Sequence, residues 1–181
     1  MMSFETEEYV LDDESERLEN KKRELAATVS ELDPENPAFS AKVEEGNQVD
    51  RFLAGVEFAR AEDGLDAETI TLKGLPGGRV LDIKNYLEDE IRQRGVTVQN
   101  NWREAVYVVA FGTVDAPYID EGMTDTERIE AIDEAASLPY LKWAEQRIND
   151  LGTVGNGPQT SFTDLVLEMR GESPETSTQN S

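Results

Sequence analysis

The chain has 181 residues, with 39 Asp and Glu against 17 Lys and Arg, a formal charge of −22, and neither His nor Cys. The missing residues remove thiol nucleophiles, disulfides and thiolate metal sites, together with the commonest general base and transition-metal ligand. Scattered Lys and Arg supply no basic stripe for nucleic acid phosphates, so carboxylate-only chemistry is what composition leaves open.

The charge describes a solvent. Self-repulsion of this size destabilises a compact state at ordinary ionic strength. In molar salt the Debye length is about 3 Å, and the repulsion is screened almost to contact. The cations are 6 Lys and 11 Arg; excess carboxylate with little Lys is the composition expected of a halophilic protein in a salt-saturated cytoplasm. No apolar run approaches the roughly 18 residues of a membrane span. The acidic stretch Met1 to Val10 lacks the basic and apolar regions of a secretory signal. The expectation is a soluble protein of a host cytoplasm at high salt, binding neither membrane nor nucleic acid.

Residues 1–11 are acidic and aperiodic and read as an extended or disordered lead-in. A helix is predicted from Asp12 to Leu32, capped by Asp12 or Asp13. Leu11, Leu18, Leu25 and Leu32 recur every seven residues, but Ser15, Lys22 and Val29 fill the companion row. That stripe is too thin for a strong coiled coil, yet it can dock the helix on a partner or on its own domain. Lys21, Lys22 and Arg23 lie between Glu19 and Glu24 and read as a solvated helix face. Asp33-Pro34 to Pro37 ends the helix. Gly46-Asn47 is expected to interrupt the next stretch, before Val49, Phe52, Leu53 and Val56 mark a short amphipathic helix to about Arg60.

After a turn at Ala61 to Asp66, alternating Ile70 and Leu72 signal a short strand. The run Gly74-Leu75-Pro76-Gly77-Gly78 then leads into a helix carrying Val80, Ile83, Lys84, Leu87 and Ile91, closed by Gly95. A glycine loop before a helix suggests phosphate binding, but neither GxxxxGK[ST] nor GxGxxG is present, and a turn with a helix start accounts for it. Val96 to Val98 reads as a brief strand. Between Trp102 and Phe111 a β-branched run competes with a helical stripe of Trp102, Ala105, Val106, Val109 and Ala110; a buried helix is predicted from its helical surroundings.

Thr113 to Gly122 is a loop. Thr124-x-x-Glu127 forms a capping box that opens a helix through Ile129, Ile132 and Ala136. Ser137-Leu138-Pro139 starts another, with Leu141, Ala144, Ile148 and Leu151 on one face and Gly152 after its end. Gly152 to Pro158 reads as a flexible link. Ser161-x-x-Asp164 resembles the cap of a last short helix bearing Phe162, Leu165, Val166 and Met169, and the apolar-free residues from Gly171 are expected to be disordered. The predicted fold is therefore mainly α. It comprises an acidic lead-in and helical arm (1–47), a helical core domain with one or two short β-strands (48–152), and a linker, short helix and disordered tail (153–181).

Carboxylates are so frequent that the proximity of two of them carries no information. The tightest clusters, Glu88-Asp89-Glu90 and Asp120-Glu121, suit a solvated surface, and Asp115 to Gly122 lacks EF-hand spacing. No acid stands in an apolar context that would raise its pKa. Hence no catalytic, cofactor-binding or metal-ligating residue is expected, no cofactor, and no enzymatic activity. The aromatics Trp102, Tyr107, Phe111, Tyr118, Tyr140 and Trp143 concentrate between 102 and 143. Most suit the core of a small domain, with binding anchors as the alternative; if one is exposed, Trp143 or Tyr118 is the residue expected at the surface.

The order of segments from Glu68 to Leu151 resembles the tail assembly chaperones of long-tailed viruses. The segment ITLKGLPGGRVLDI (Ile70 to Ile83) leads into a helix, then come an apolar helix (Trp102 to Phe111), an acidic, proline-containing loop (Asp115 to Asp125) and a final helix pair (Thr124 to Leu151). The resemblance implies a non-enzymatic role in tail assembly, in which such proteins bind the long tape-measure protein and keep its apolar helices from aggregating. It places client contacts on the 80–91 and 141–151 helices. With the leucine stripe and the aromatics, the candidate partner-binding residues are Leu18, Leu25, Val80, Leu87, Tyr118, Leu141, Trp143 and Ile148. Partners are expected to be proteins, with homo-oligomerisation left open. The alternative is a structural virion component, a head–tail connector, neck or baseplate subunit, whose terminal arms become ordered against neighbours and which is retained in the particle.

Overall fold

A computed structural model describes residues 5–94 and 102–154. The acidic lead-in is a strand: β1 (Thr6–Val10) runs directly into helix α1 (Leu11–Glu31). Chain reversal follows at Asn36, whose side chain accepts from Ala38 N at 2.9 Å and caps α2 (Pro37–Arg60), with Pro37 in the first turn. Lys22 meets Asp50 at 2.5 Å, Ser15 donates to Glu57 at 2.7 Å, and Arg60 meets Asp12. These three pairs share one residue-number sum, which makes α1 and α2 an antiparallel hairpin. Gly46 and Asn47 lie inside α2 without interrupting it, because the helix gains its stability from packing along its length rather than from local propensity.

Strand β2 (Thr69–Lys73) pairs antiparallel with β1, Thr6 opposite Lys73 and Val10 opposite Thr69. It also pairs antiparallel with β3 (Thr113–Asp115), with a register shift at Thr71–Leu72. The sheet order is β1-β2-β3, and the central strand turns Ile70 and Leu72 into the core, both fully buried. Helices α3 (Gly77–Arg94), α4 (Trp102–Gly112), α5 (Asp125–Ala135) and α6 (Leu138–Val154) complete a mainly helical fold. The stretch 102–111 is helical, as expected: α4 buries every residue from Ala105 to Gly112, a position only a central helix can occupy. Its carbonyl end is satisfied by Arg128 on α5, which donates to Thr113 O at 2.9 Å and Ala110 O at 3.4 Å. The Thr124–Glu127 capping box forms as the sequence indicates.

The N-terminal segment is no separate arm. Leu11, Leu18 and Leu25 are buried in the same cluster as Ile70, Val109 and Trp143, and a boundary at 47/48 falls in the middle of α2. The leucine stripe is thin because it packs against a single neighbouring helix and against the residues α6 brings beneath it. Helix α6 continues through Gly152, so the expected link begins no earlier than 155. The strand expected at 96–98, the helix expected from Ser161 and the tail from Gly171 lie outside the described residues.

Candidate protein-binding surface

The sequence around α3 builds a surface unlike the rest of the molecule. Pro76 O accepts from Arg79 N at 2.9 Å and from Val80 N at 3.2 Å and starts the helix. Gly77 and Gly78 face open space, so they mark a turn and form no close ligand cradle. Arg79 ties the N-terminal end of α3 to Asp125 on α5, at 2.6 and 3.3 Å, and lies over the Phe111 ring. At the other end Arg103 of α4 holds Glu90 at 2.9 Å and Asp133 at 2.8 Å. Burial opposes the Arg103 charge, but the hydrogen bonds and charges of Glu90 and Asp133 outweigh it and raise its pKa. The same guanidinium lies between aromatic neighbours, 5.0 Å from the Trp102 ring centre and 5.5 Å from that of Tyr107. Tyr86 stacks on Tyr107 at 5.7 Å, and the Tyr107 hydroxyl donates to Glu90 at 3.1 Å. Burial, then Glu90, raises the Tyr107 pKa.

Between these anchors α3 points apolar side chains outward. Val80 is 43 % exposed, Leu81 59 %, Tyr86 40 % and Ile91 37 %, and Trp102 at the start of α4 is 37 % exposed. Only Val10, Val114 and Leu138 join them as exposed large hydrophobics among the described residues, and those three stand apart on other elements. Single exposed hydrophobics are ordinary; four on one helix are the more informative case. Helix α3 is also charge-balanced. Asp82, Glu88, Asp89 and Glu90 are matched by Arg79, Lys84, Arg92 and Arg94, in a chain at −22. The excess acid lies in α1, α5 and the segments between the helices; α3, like α4 and α6, has no net charge.

The residues singled out from sequence divide sharply. Val80 is exposed, and Leu87 is half-buried beside it, packed against the core. Leu18 and Leu25 are taken up between α1 and α2. Leu141, Trp143 and Ile148 are buried, Trp143 and Ile148 completely, because the apolar face of α6 is covered by α2, α4 and β2. Trp143 is thus no surface anchor; its indole N–H donates to Glu14 Oε1 at 2.9 Å. Tyr118 is half-buried, and its hydroxyl is engaged by Tyr140 at 2.6 Å and Thr113 at 3.2 Å. Burial pushes its pKa up to about 12, with the bonds to Thr113 and Tyr140 acting in the opposite direction. Five of the eight candidates are accordingly core residues, Leu87 and Tyr118 are half-buried, and only Val80 is exposed. Leu81, Tyr86 and Ile91 were not among them. Leu81 sits about 100° away from Val80 around the helix, outside the stripe that periodicity selects.

Glu14 is a residue that no sequence pattern singled out. It is 5 % exposed and receives Trp143, Arg147 and Arg17. Burial alone would raise its pKa, but Arg17, Trp143 and Arg147 together hold it below the usual carboxylate range. An open groove of about 520 Å³ adjoins it, lined by Glu5, Glu7, Glu8, Asp13, Arg17 and Arg147 among others. Among the described residues no group of three or more carboxylates is arranged to hold a metal ion, and no helix is long and apolar enough to cross a membrane. No family model, curated protein or solved structure matches this chain.

Proposed function

We propose that this chain is a non-enzymatic protein-binding protein that receives apolar helical segments of a partner on α3 and the start of α4. In this reading it serves tail assembly of a halophilic tailed virus or provirus, as a chaperone of the tape-measure protein. The observation that carries the binding role is the exposed apolar set Val80, Leu81, Tyr86 and Ile91 on α3, a helix without net charge in a strongly acidic molecule, with Trp102 exposed at the start of α4. In molar salt, attraction between charged surfaces is screened, so recognition has to rest on apolar contact. A face without net charge adds no repulsion to that contact, while the acidic remainder keeps loaded complexes apart. The mode is a helix against an apolar surface, read through anchors on one side of the client helix.

Co-expression with the tape-measure protein in molar KCl is the test. The two should co-purify, and the paired substitution Val80→Asp with Ile91→Asp should cut recovery of the partner at least about tenfold while far-UV CD stays unchanged. A wild-type chain that fails to hold the partner under these conditions rules out the chaperone role. Stoichiometric copies in purified virions would instead assign a connector, neck or baseplate subunit.

A further inference from the structure

The two edges of the sheet differ. Strand β3 is three residues long and meets β2 through a register shift, which blunts it as a template for a further strand. Strand β1 pairs with β2 in unbroken register over all five of its residues. Beyond its ends, Gly74 N donates to Glu5 O at 3.1 Å and Leu11 N donates to Glu68 O at 3.0 Å. Residues that exchange bonds across an antiparallel ladder alternate with residues that do not. Glu5, Glu7, Tyr9 and Leu11 therefore bond inward to β2. The N–H and C=O of Thr6 and Glu8, and the N–H of Val10, point away from the sheet. All three residues are exposed, and no hydrogen bond reaches those groups from any described residue. They border the open groove of about 520 Å³ between β1, the start of α1 and the end of α6.

We propose that the free edge of β1 is a second docking site, which takes an extended protein segment bearing Lys or Arg at alternate positions as a fourth strand. A regular edge supplies main-chain bonds to any such segment, and charge selects among segments. Glu5, Glu7, Glu8 and Asp13 line the groove, and none of them is in an ion pair among the described residues. The two cations there, Arg17 and Arg147, are both held by Glu14. A second copy of β1 would lay the same acids against one another; a cationic segment meets them with opposite sign. The register follows from the pleat. Glu5 and Glu7 share the face on which Tyr9 meets Trp143. Cations two residues apart on the added strand, opposite Glu5 and Glu7, fall on that same face. These are non-hydrogen-bonded positions of the new ladder, where side chains approach most closely.

Molar salt leaves this recognition intact. Main-chain bonds act at contact, inside the screening length of about 3 Å, and the acids set which sign of segment is accepted. The site stands on a different element from α3 and is independent of how α3 is used.

The full-length chain in molar KCl is titrated with a labelled peptide of about ten residues that alternates Lys and Thr, and with its counterpart alternating Glu and Thr. The Lys peptide should bind to saturation, and the Glu peptide at least about tenfold more weakly. Bound Lys peptide should slow hydrogen exchange of the Thr6, Glu8 and Val10 amides at least about tenfold and leave those of β3 unchanged. Val10→Pro removes one outward N–H and sets a ring on the edge. The Val10 φ of −76° already suits proline, so far-UV CD should be unchanged while affinity for the Lys peptide falls at least about tenfold. Glu5→Lys with Glu7→Lys should reverse the preference between the two peptides. A folded wild-type chain that binds neither peptide, binds both equally, or binds the Lys peptide without slowing those amides overturns the proposal. Slowing that grows with protein concentration in the absence of peptide also overturns it, because a second copy would then be the occupant.

Discussion

Glu14 joins the N-terminal hairpin to the last helix. Its Oε1 accepts from Trp143 Nε1 at 2.9 Å and from Arg147 at 2.7 and 3.0 Å, and its Oε2 accepts from Arg17 at 2.8 Å. Tyr9 of β1 meets the Trp143 ring edge-on at 5.7 Å and closes the apolar side of the site. A buried charge held this way adds little over a well-packed apolar substitute, but removing one partner leaves the others uncompensated. Glu14→Ala should therefore lower the unfolding free energy by about 3 kcal/mol, read from urea midpoints at constant salt. Glu19→Ala, which breaks the exposed pair with Arg23, should change it by less than about 0.5 kcal/mol. The pH dependence has a definite sign. The folded-state pKa of Glu14 is depressed, so its contribution is complete above the unfolded carboxylate range, about 4.3, and is lost as pH falls through the lower folded value. Glu14→Gln should flatten that acid limb of stability against pH; an unchanged slope would place the loss elsewhere. The burial of Glu14 was open to reading. It lies three residues after Leu11 and four before Leu18, on the face of the leucine stripe, and only its charge argued against the core.

At the level of elements, two glycines of α2 separate local propensity from packing. A Cβ on Gly46 would meet nothing within 4 Å, whereas one on Gly55 would lie 2.4 Å from Pro139 O and 2.8 Å from Tyr140 N, both backbone atoms of α6. Gly46→Ala should stabilise by about 0.5–1 kcal/mol, because only the backbone entropy of glycine is removed. Gly55→Ala should destabilise by about 1–3 kcal/mol, because α2 and α6 must move apart. Equal effects at the two positions would mean that α6 does not cross α2 at Pro139. Sequence suggested a break at Gly46, where the helix is continuous. It offered no hint that Gly55 marks a close helix crossing, since the partner backbone lies 84 residues away. The same limit explains the binding residues: α1, α3 and α6 all carry one apolar stripe, and periodicity cannot tell a stripe covered by the chain itself from one left open.

For the whole molecule, the charge of −22 sets the condition under which these contacts persist. The inter-helix pairs Lys22–Asp50 and Lys21–Glu45 are substantially exposed, so salt weakens them together with the general repulsion. With 39 acids against 17 cations, relief of repulsion is the larger effect. Far-UV CD should therefore show helical structure lost as KCl falls from molar to about 0.1 M, where screening reaches only to about 10 Å. A fold indifferent to that dilution would rule out the halophilic assignment. The buried group around Glu14 is screened least, so the contacts of α1 with α6 should outlast those of α3, whose principal neighbour is α4.

The sequence by itself determined the helical class, the breaks at Pro34 and Pro37, the strand at Ile70 and Leu72, the cap at Thr124 and the acidity of the surface. Each is a local matter of backbone restriction, side-chain period or net charge. Only the tertiary structure decided that the acidic lead-in is a sheet edge, that Trp143, Leu141 and Ile148 lie inside, and that Glu14 is a buried acceptor. It also decided that α3 leaves Val80, Leu81, Tyr86 and Ile91 exposed while Ile83 is buried. Burial depends on which distant element arrives to cover a stripe, and that is a property of the assembled chain.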